Sequence, residues 1–314
     1  MSSTAAALPD VTAAAVTTTG NARAVGRDGK DLRRATRAGA LVRVRHGTYV
    51  PAEAWAAADE AERHRLRVLA AARRLRAPVF GRESAAAVWR LPLLGDWPRD
   101  VHVLVPLASG TPSSPGVRRH RVADPAATRC VDGLAVTTVA RTVVDLARAG
   151  SFARGLVLAD DALRRRGVSP DDLAREVAAA GTGRGVRAAR RVVAEADAGA
   201  ESPGESLSRA RMIELGLPQP VLQREVRDHR GLVGRVDFLW ERLGVVGEFD
   251  GRLKYRAGGV GDRTADEDRV WAEKRREDRL RAAGLRVVRW TWQDALHPAR
   301  LASVLASAGI RPGA

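Results

Sequence analysis

Val233-Gly234-Arg235-Val236-Asp237-Phe238-Leu239-Trp240, then Glu241-Arg242-Leu243-Gly244, then Val245-Val246-Gly247-Glu248-Phe249-Asp250: this stretch decides the fold of the C-terminal part of the chain. Two runs rich in β-branched and aromatic residues flank a polar, glycine-ended turn, so both read as strands. A third strand, Val221 to Val226, precedes them across a turn at Asp228 to Gly231. Outward from there, a helix runs from Glu205 to Leu215 and ends at Gly216. On the other side a polar stretch leads to a long helix from about Ala265 to Ala283, capped by Gly284. A fourth strand spans Leu285 to Trp292. Helix, three-stranded meander, helix and strand make a mixed α/β core.

The acids are the unusual part of these strands. Asp237 stands between Val236 and Phe238-Leu239, and Glu248 and Asp250 lie two apart on one strand, hence on one face. Acids in an apolar strand are costly without a cation nearby. Converging hard oxygen ligands suit Mg²⁺ or Mn²⁺, with Asp237, Glu248 and Asp250 as the metal-ligand candidates. Such an ion lowers the pKa of a bound water and stabilises charge on a phosphate. Only three of the 53 basic residues are lysine, and two of them, Lys254 and Lys274, fall in this region. A compact ammonium orients water or neutralises a phosphoryl oxygen in a way that guanidinium does poorly. Each acid also has a plainer reading. Asp237 and Glu248 could pair with Arg235 or Arg252, Asp250 could serve a turn beside its glycine, and Glu205 could complement a helix dipole.

Glu201-x-x-x-Glu205, Gly234-Arg235-Val236-Asp237-Phe238, Glu248-Phe249-Asp250-Gly251, Glu273-Lys274-Arg275-Arg276-Glu277 and Leu285-Arg286-Val287-Val288-Arg289-Trp290 resemble a bacterial family related to the Vsr mismatch endonuclease, a branch of the PD-(D/E)xK nucleases. The resemblance covers about residues 201–310. It implies a restriction-endonuclease-like fold and metal-dependent cleavage of DNA. It carries Asp237 and Glu248 over as metal-binding acids and Glu205 as the helix acid. The superfamily places lysine two residues after its second acid, where this chain has Asp250. Lys254 or Lys274 is then expected to supply that role, or else the domain binds DNA without cutting it. Glu205, Asp237, Glu248, Asp250, Lys254 and Lys274 are the candidate catalytic set.

Near the other end, Asp31 can cap a helix through Arg37, and Gly39 ends it. Leu41 to Arg45 alternates as a half-exposed strand, His46-Gly47 turns, and Thr48 to Val50 returns. Arg33, Arg34, Arg37, Arg43 and Arg45 would lie on this helix and hairpin, where DNA phosphates can be met; a solvated basic face is the alternative. This stretch resembles the winged helix of AbiEi-type antitoxins. Glu83-Ser84-Ala85-Ala86, Leu91-Pro92 and Thr137 to Thr142 are similar to the region C-terminal to the winged helix in such proteins. The likeness implies DNA binding, and a toxin partner if it extends to function.

The 314 residues allow two or three domains: a leader over 1–20, a winged helix over 21–52, an α/β middle domain over 53–198 and the nuclease-like domain over 199–314. Net charge is +16, unevenly spread, with 21 Lys+Arg against 17 Asp+Glu in 201–314 and 32 against 20 before it. This excess favours a polyanion, and DNA is the expected partner. No apolar run approaches a membrane span, and the N-terminus does not read as a signal peptide. A cytoplasmic protein, with a homodimer among its expected assemblies, follows from this reading. The single cysteine, Cys130, is expected to be a small buried hydrophobe, and His64, His102 and His120 to be structural. Trp271, Trp290 and Trp292 are expected in the core.

Overall fold

The computed structural model describes residues 16–24, 28–123, 128–251 and 263–313. The chain is mixed α/β and divides into two compact units, Met1–Leu146 with Arg175–Ala180, and Ala147–Ala174 with Gly181–Ala314. Among the described residues no helix is long and apolar enough to cross a membrane.

Unit 1 begins with β1 (Thr17–Thr18), α1 (Thr19–Ala24), α2 (Gly29–Arg37), β2 (Leu41–Arg45) and β3 (Thr48–Pro51). These strands form a sheet in the order β1-β3-β2. Val16 is buried and Thr17 pairs with Tyr49, so residues 16–20 belong to the fold rather than to a leader. The start of α2 also differs from expectation. Asp28 is the N-cap, accepting from the backbone N–H groups of Lys30 and Asp31, and Asp31 returns a bond to the Asp28 N–H. Asp31 is thus the second half of a capping box, three residues inside the end it was expected to mark.

Next come α3 (Ala52–Ala57), α4 (Glu60–Ala72), β4 (Val79–Phe80), α5 (Arg82–Trp89), β5 (Val101–Pro106), β6 (Val117–Val122), β7 (Thr128–Val131), β8 (Leu134–Thr137) and α6 (Val139–Ala147). A five-stranded sheet has the order β6-β5-β4-β8-β7. Its core is aliphatic around Phe80, with Leu66 and Leu69 of α4 against Val101, Val103 and Val136. The β7–β8 hairpin turns on Asp132-Gly133, both at positive φ, a turn that matches strand twist. Cys130 sits on β7 and is exposed, because β7 is an edge strand and its side chain points outward. It is not the buried residue expected.

Unit 2 holds α7 (Phe152–Arg165), α9 (Val186–Glu195) and α10 (Pro203–Glu214), while α8 (Pro170–Ala179) is divided between the units. Then come β9 (Val221–Asp228), β10 (Gly231–Trp240), a 3₁₀ turn at Glu241–Leu243, β11 (Val245–Asp250), α11 (Arg263–Ala282), β12 (Arg286–Thr291), α12 (Trp292–Leu296) and α13 (Pro298–Ser307). The sheet order is β12-β11-β10-β9, with β9–β10–β11 antiparallel and β12 parallel to β11. The compact unit thus reaches back past the Ala198–Pro203 boundary to include α7 and α9. The tie is visible: Arg209 on α10 bonds the fully buried Asp160 on α7 at 3.0 Å.

Candidate functional site

Three elements of unit 2 converge at the start of α10. Ser202 caps this helix, accepting from the Glu205 N–H. Gly204, two residues on, lies so close to Phe249 that an added Cβ would sit 2.0 Å from its ring. Only glycine permits that approach. It draws the first turn of α10 onto β11 and holds Glu205 beside the sheet. Ser208, one turn on, bonds the Gly204 carbonyl and accepts from the Trp290 indole at 2.7 Å, locking α10 to β12.

Glu205 and Asp237 are both largely buried, and each feels the other's charge or its neighbour's. Burial first, then the Asp237 charge, pushes the Glu205 carboxyl up from its ordinary value. Burial also raises Asp237, opposed by the Phe249 N–H that donates to it at 2.9 Å and reinforced by Glu248. Between the two acids stands Gln223 of β9. Its amide donates to Glu205 Oε2 at 2.9 Å and approaches Asp237 Oδ1 at 3.4 Å. Its backbone is at φ +52, a left-handed conformation that a non-glycine residue rarely takes within a strand. Strain of this kind persists where the surroundings enforce it, and it clusters at functional sites.

Glu248 is differently placed. Its Oε1 accepts from Arg276 of α11 at 2.6 Å, and Arg289 of β12 lies 3.5 Å from Oε2. Arg276 is itself fixed by Glu273 and the Arg235 carbonyl. The arginine partners foreseen for these acids, Arg235 and Arg252, are not the ones seen: Arg235 pairs with Glu201 at 2.7 Å, and Arg252 lies outside the described residues. Asp250 is exposed at the end of β11. Among the described residues no three carboxylate, histidine or cysteine side chains are grouped so as to hold a metal ion.

The two lysines fare unequally. Lys254 lies outside the described residues. Lys274 is exposed, its ammonium 5.3 Å over the ring of Trp271. At about 100° per residue, Lys274 is on the far side of α11 from Arg276, the residue that faces Glu248. It is therefore not brought to the acids. Trp271 is 59% exposed, so of the three tryptophans assigned to the core it alone lies outside; Trp290 is buried and Trp292 packs edge-on against Phe249.

In unit 1, Arg33, Arg34 and Arg37 lie on α2, and Arg43 is exposed on β2 with its guanidinium donating to His46 Nδ1 at 2.8 Å. Arg45 is half-buried and donates to the Gly116 carbonyl at 3.1 Å. These five arginines thus share the helix and hairpin on which they were expected.

Gln223, Arg276 and Arg289 are the participants that sequence reasoning missed. Gln223 reads as an ordinary polar residue of a half-exposed strand. Arg276 could have been suspected from Glu273, three residues earlier, which aligns the two on one helix face.

Glu205 and Asp237 are thus brought together around Gln223, with the Glu201 and Phe249 N–H groups donating to them. No family model matches the chain. It is 37% identical over 128 residues to two uncharacterized proteins of Mycobacterium tuberculosis, from strains CDC 1551 / Oshkosh and ATCC 25618 / H37Rv. The match spans 41% of this chain and 47% of each relative.

Proposed function

We propose that this is a DNA-binding protein whose C-terminal unit is a metal-dependent endonuclease with a restriction-endonuclease-like fold. The carrying observation is the meeting of Glu205 and Asp237, from helix and strand, across the strained Gln223. Two buried carboxyls with raised pKa values gain from an added cation, which fits Mg²⁺ or Mn²⁺ held by two carboxylates, with water and phosphate oxygens completing the shell. Such an ion supplies an activated water and charge stabilisation at the phosphate. Gln223 and the Phe249 N–H orient the acids. The arginines of α2 and β2 would bind DNA as a winged helix does.

The test is purified full-length protein with supercoiled plasmid and Mg²⁺ or Mn²⁺, beside Asp237→Ala and Glu205→Ala. Nicking that depends on metal and falls roughly a hundredfold in either variant supports the reading.

One observation favours a second reading, an antitoxin-like regulator with an inactive nuclease fold. Arg276 and Arg289 already neutralise Glu248, the second acid. Intact DNA binding without nicking under any metal condition would select it, and a toxin partner would then be sought.

A further inference from the structure

The turn of the β2–β3 hairpin meets two other parts of unit 1. Gly47, in that turn, lies against the Arg74 guanidinium beyond the end of α4, 3.8 Å from where a Cβ would stand. Arg45, two residues before it, donates to Gly116, which directly precedes the edge strand β6. Three residues on, Arg119 donates to the Pro112 carbonyl at 2.6 Å and lies 3.3 Å from Ser114 Oγ. Hairpin, helix end and edge strand thus bring three guanidiniums into one neighbourhood.

None of the three has a carboxylate within ion-pair distance among the described residues. Desolvation and the charges of Arg119 and Arg74 all work against the charge on Arg45, and only Asp100, with the smallest effect, favours it. Elsewhere the chain pairs its arginines freely, so a cluster without a counter-ion is a cost that the fold retains. Arg45 and Arg119 are anchored by main-chain carbonyls through one nitrogen each. A guanidinium has five N–H donors, so most remain to grip an anion, in a fork that matches phosphate. Arg121, two residues beyond Arg119 and so on the same face of β6, is exposed.

We infer that Arg45, Arg74 and Arg119 form a cradle for backbone phosphates of duplex DNA, extending the interface beyond the α2–β2 arginines onto the sheet of unit 1. The inference rests on the proposed DNA-binding reading. It adds Arg74 and Arg119 to the phosphate contact already expected of Arg45, which is held in place by its bond to the Gly116 carbonyl. Phosphate contacts position a duplex without reading its sequence. The cradle therefore contributes affinity that is salt-dependent and indifferent to sequence.

The experiment is fluorescence anisotropy of the full chain on a short labelled duplex of mixed sequence, across a salt series. Wild type is compared with Arg74→Ala, Arg119→Ala, Arg33→Ala and Arg211→Ala; Arg211 is paired with Glu214 at 2.6 Å in unit 2 and serves as control. The expected result is a several-fold affinity loss for Arg74→Ala and for Arg119→Ala. Each should lower the salt slope by about one, on unrelated duplexes alike, with Arg211→Ala unchanged. Arg119→Lys keeps the charge and should recover the slope but only part of the affinity. Normal binding by Arg74→Ala and Arg119→Ala while Arg33→Ala is weakened overturns the cradle and leaves the DNA reading intact. Failure of the wild-type protein to bind any duplex overturns the DNA reading itself. Tighter binding to single-stranded RNA than to duplex DNA overturns the choice of partner.

Discussion

Two fully buried polar clusters, one around His64 in unit 1 and one around Asp160 in unit 2, are built in opposite ways. In unit 1 a buried chain of polar groups is neutral, although charge is buried there too, in Arg65 paired with Glu62 and Asp132. His64 is fully buried, and burial brings its pKa down to about 4, so the ring carries no charge. Pro98 offers only a carbonyl, at 2.9 Å, so Nδ1 must donate to it. Nε2 then accepts from Ser84 Oγ, 3.0 Å away, and Ser84 accepts from the His102 N–H. Each of these groups is satisfied without an ion, and helix α4, helix α5 and strand β5 are joined. Unit 2 instead buries a charge, that of Asp160, and pairs it with Arg209; the half-buried Glu248 is likewise paired with Arg276. Both units pair arginines with carboxylates, but Arg45, Arg74 and Arg119 of unit 1 have no such partner among the described residues.

The strongest way to break this contrast is to unpair a buried charge in unit 2. Arg209→Met leaves Asp160 facing only backbone and serine donors. The expected cost is about 3–5 kcal/mol, read as a fall in the denaturant midpoint. The double variant Arg209→Met with Asp160→Leu should recover much of it, since the remaining charge is gone. Equal losses in the single and double variants would mean that packing, not charge, holds α7 to α10.

The second effect separates the units by pH. His64 has a folded pKa near 4 against an ordinary 6.5, so it favours folding above about 6.5 and loses that contribution as pH falls toward 4. The amount is roughly 3 kcal/mol, from one pKa unit being about 1.4 kcal/mol. His120, also lowered to about 4 by burial, adds in the same direction. Asp160 has the opposite sign. Burial raises it to about 6, so its charge weakens the fold at neutral pH, and acidification through 6 toward 3.8 relieves this. Hydrogen-exchange protection factors between pH 7 and pH 5 should fall in α4 and α5 but hold or rise in α7 and α10. His64→Asn should flatten the decline in unit 1. Parallel behaviour in the two units would contradict the contrast.

Much of the C-terminal core could be read from the chain because its strands are rich in β-branched and aromatic residues and glycines mark the ends of its elements. Asp237 was legible as an acid in apolar surroundings, and Glu205 only through the family resemblance, since a first-turn helix acid has an ordinary reading as well. Gln223 was not, because what distinguishes it is a left-handed backbone and a position between two acids, both products of tertiary packing. Glu248 was legible as an acid but not as a pinned one, since its arginines come from α11 and β12. The β7–β8 hairpin carried its signal, Asp132-Gly133 between short apolar runs, yet four-residue strands offer little periodicity to support it. Lys274 was singled out by rarity, which says nothing about helix phase.

A smaller effect tests whether the paired acids of unit 2 are kept at a cost. Glu205 and Asp237 both have raised pKa values, so their ionised forms destabilise the fold near neutrality. Glu205→Gln preserves an acceptor for the Glu201 N–H and removes one charge. It should stabilise the metal-free protein by about 1 kcal/mol at pH 7. The gain should shrink as pH falls, because wild-type Glu205 then takes up its proton. Added Mg²⁺ should stabilise the wild type but not the variant. A variant less stable than wild type at pH 7 would show that the carboxylate is held for structure, by the N–H groups around it.

The smallest expected effect concerns Lys274, and it sharpens the comparison by locating what the site does not use. Its ammonium lies over the exposed Trp271 ring, an interaction worth about 0.5–1 kcal/mol at such a surface. Lys274→Ala should therefore cost no more than that in stability. Nicking by the wild type, if supported by Glu205 and Asp237, should persist in this variant within about twofold. Arg276→Ala, two residues along the same helix, should behave differently, because it removes the shorter of the two arginine contacts on Glu248 and changes the metal concentration needed for half-maximal response. A large loss of nicking in Lys274→Ala with normal stability would mean that α11 turns about its axis when DNA is bound. The acids and the lysine would then meet only in the complex.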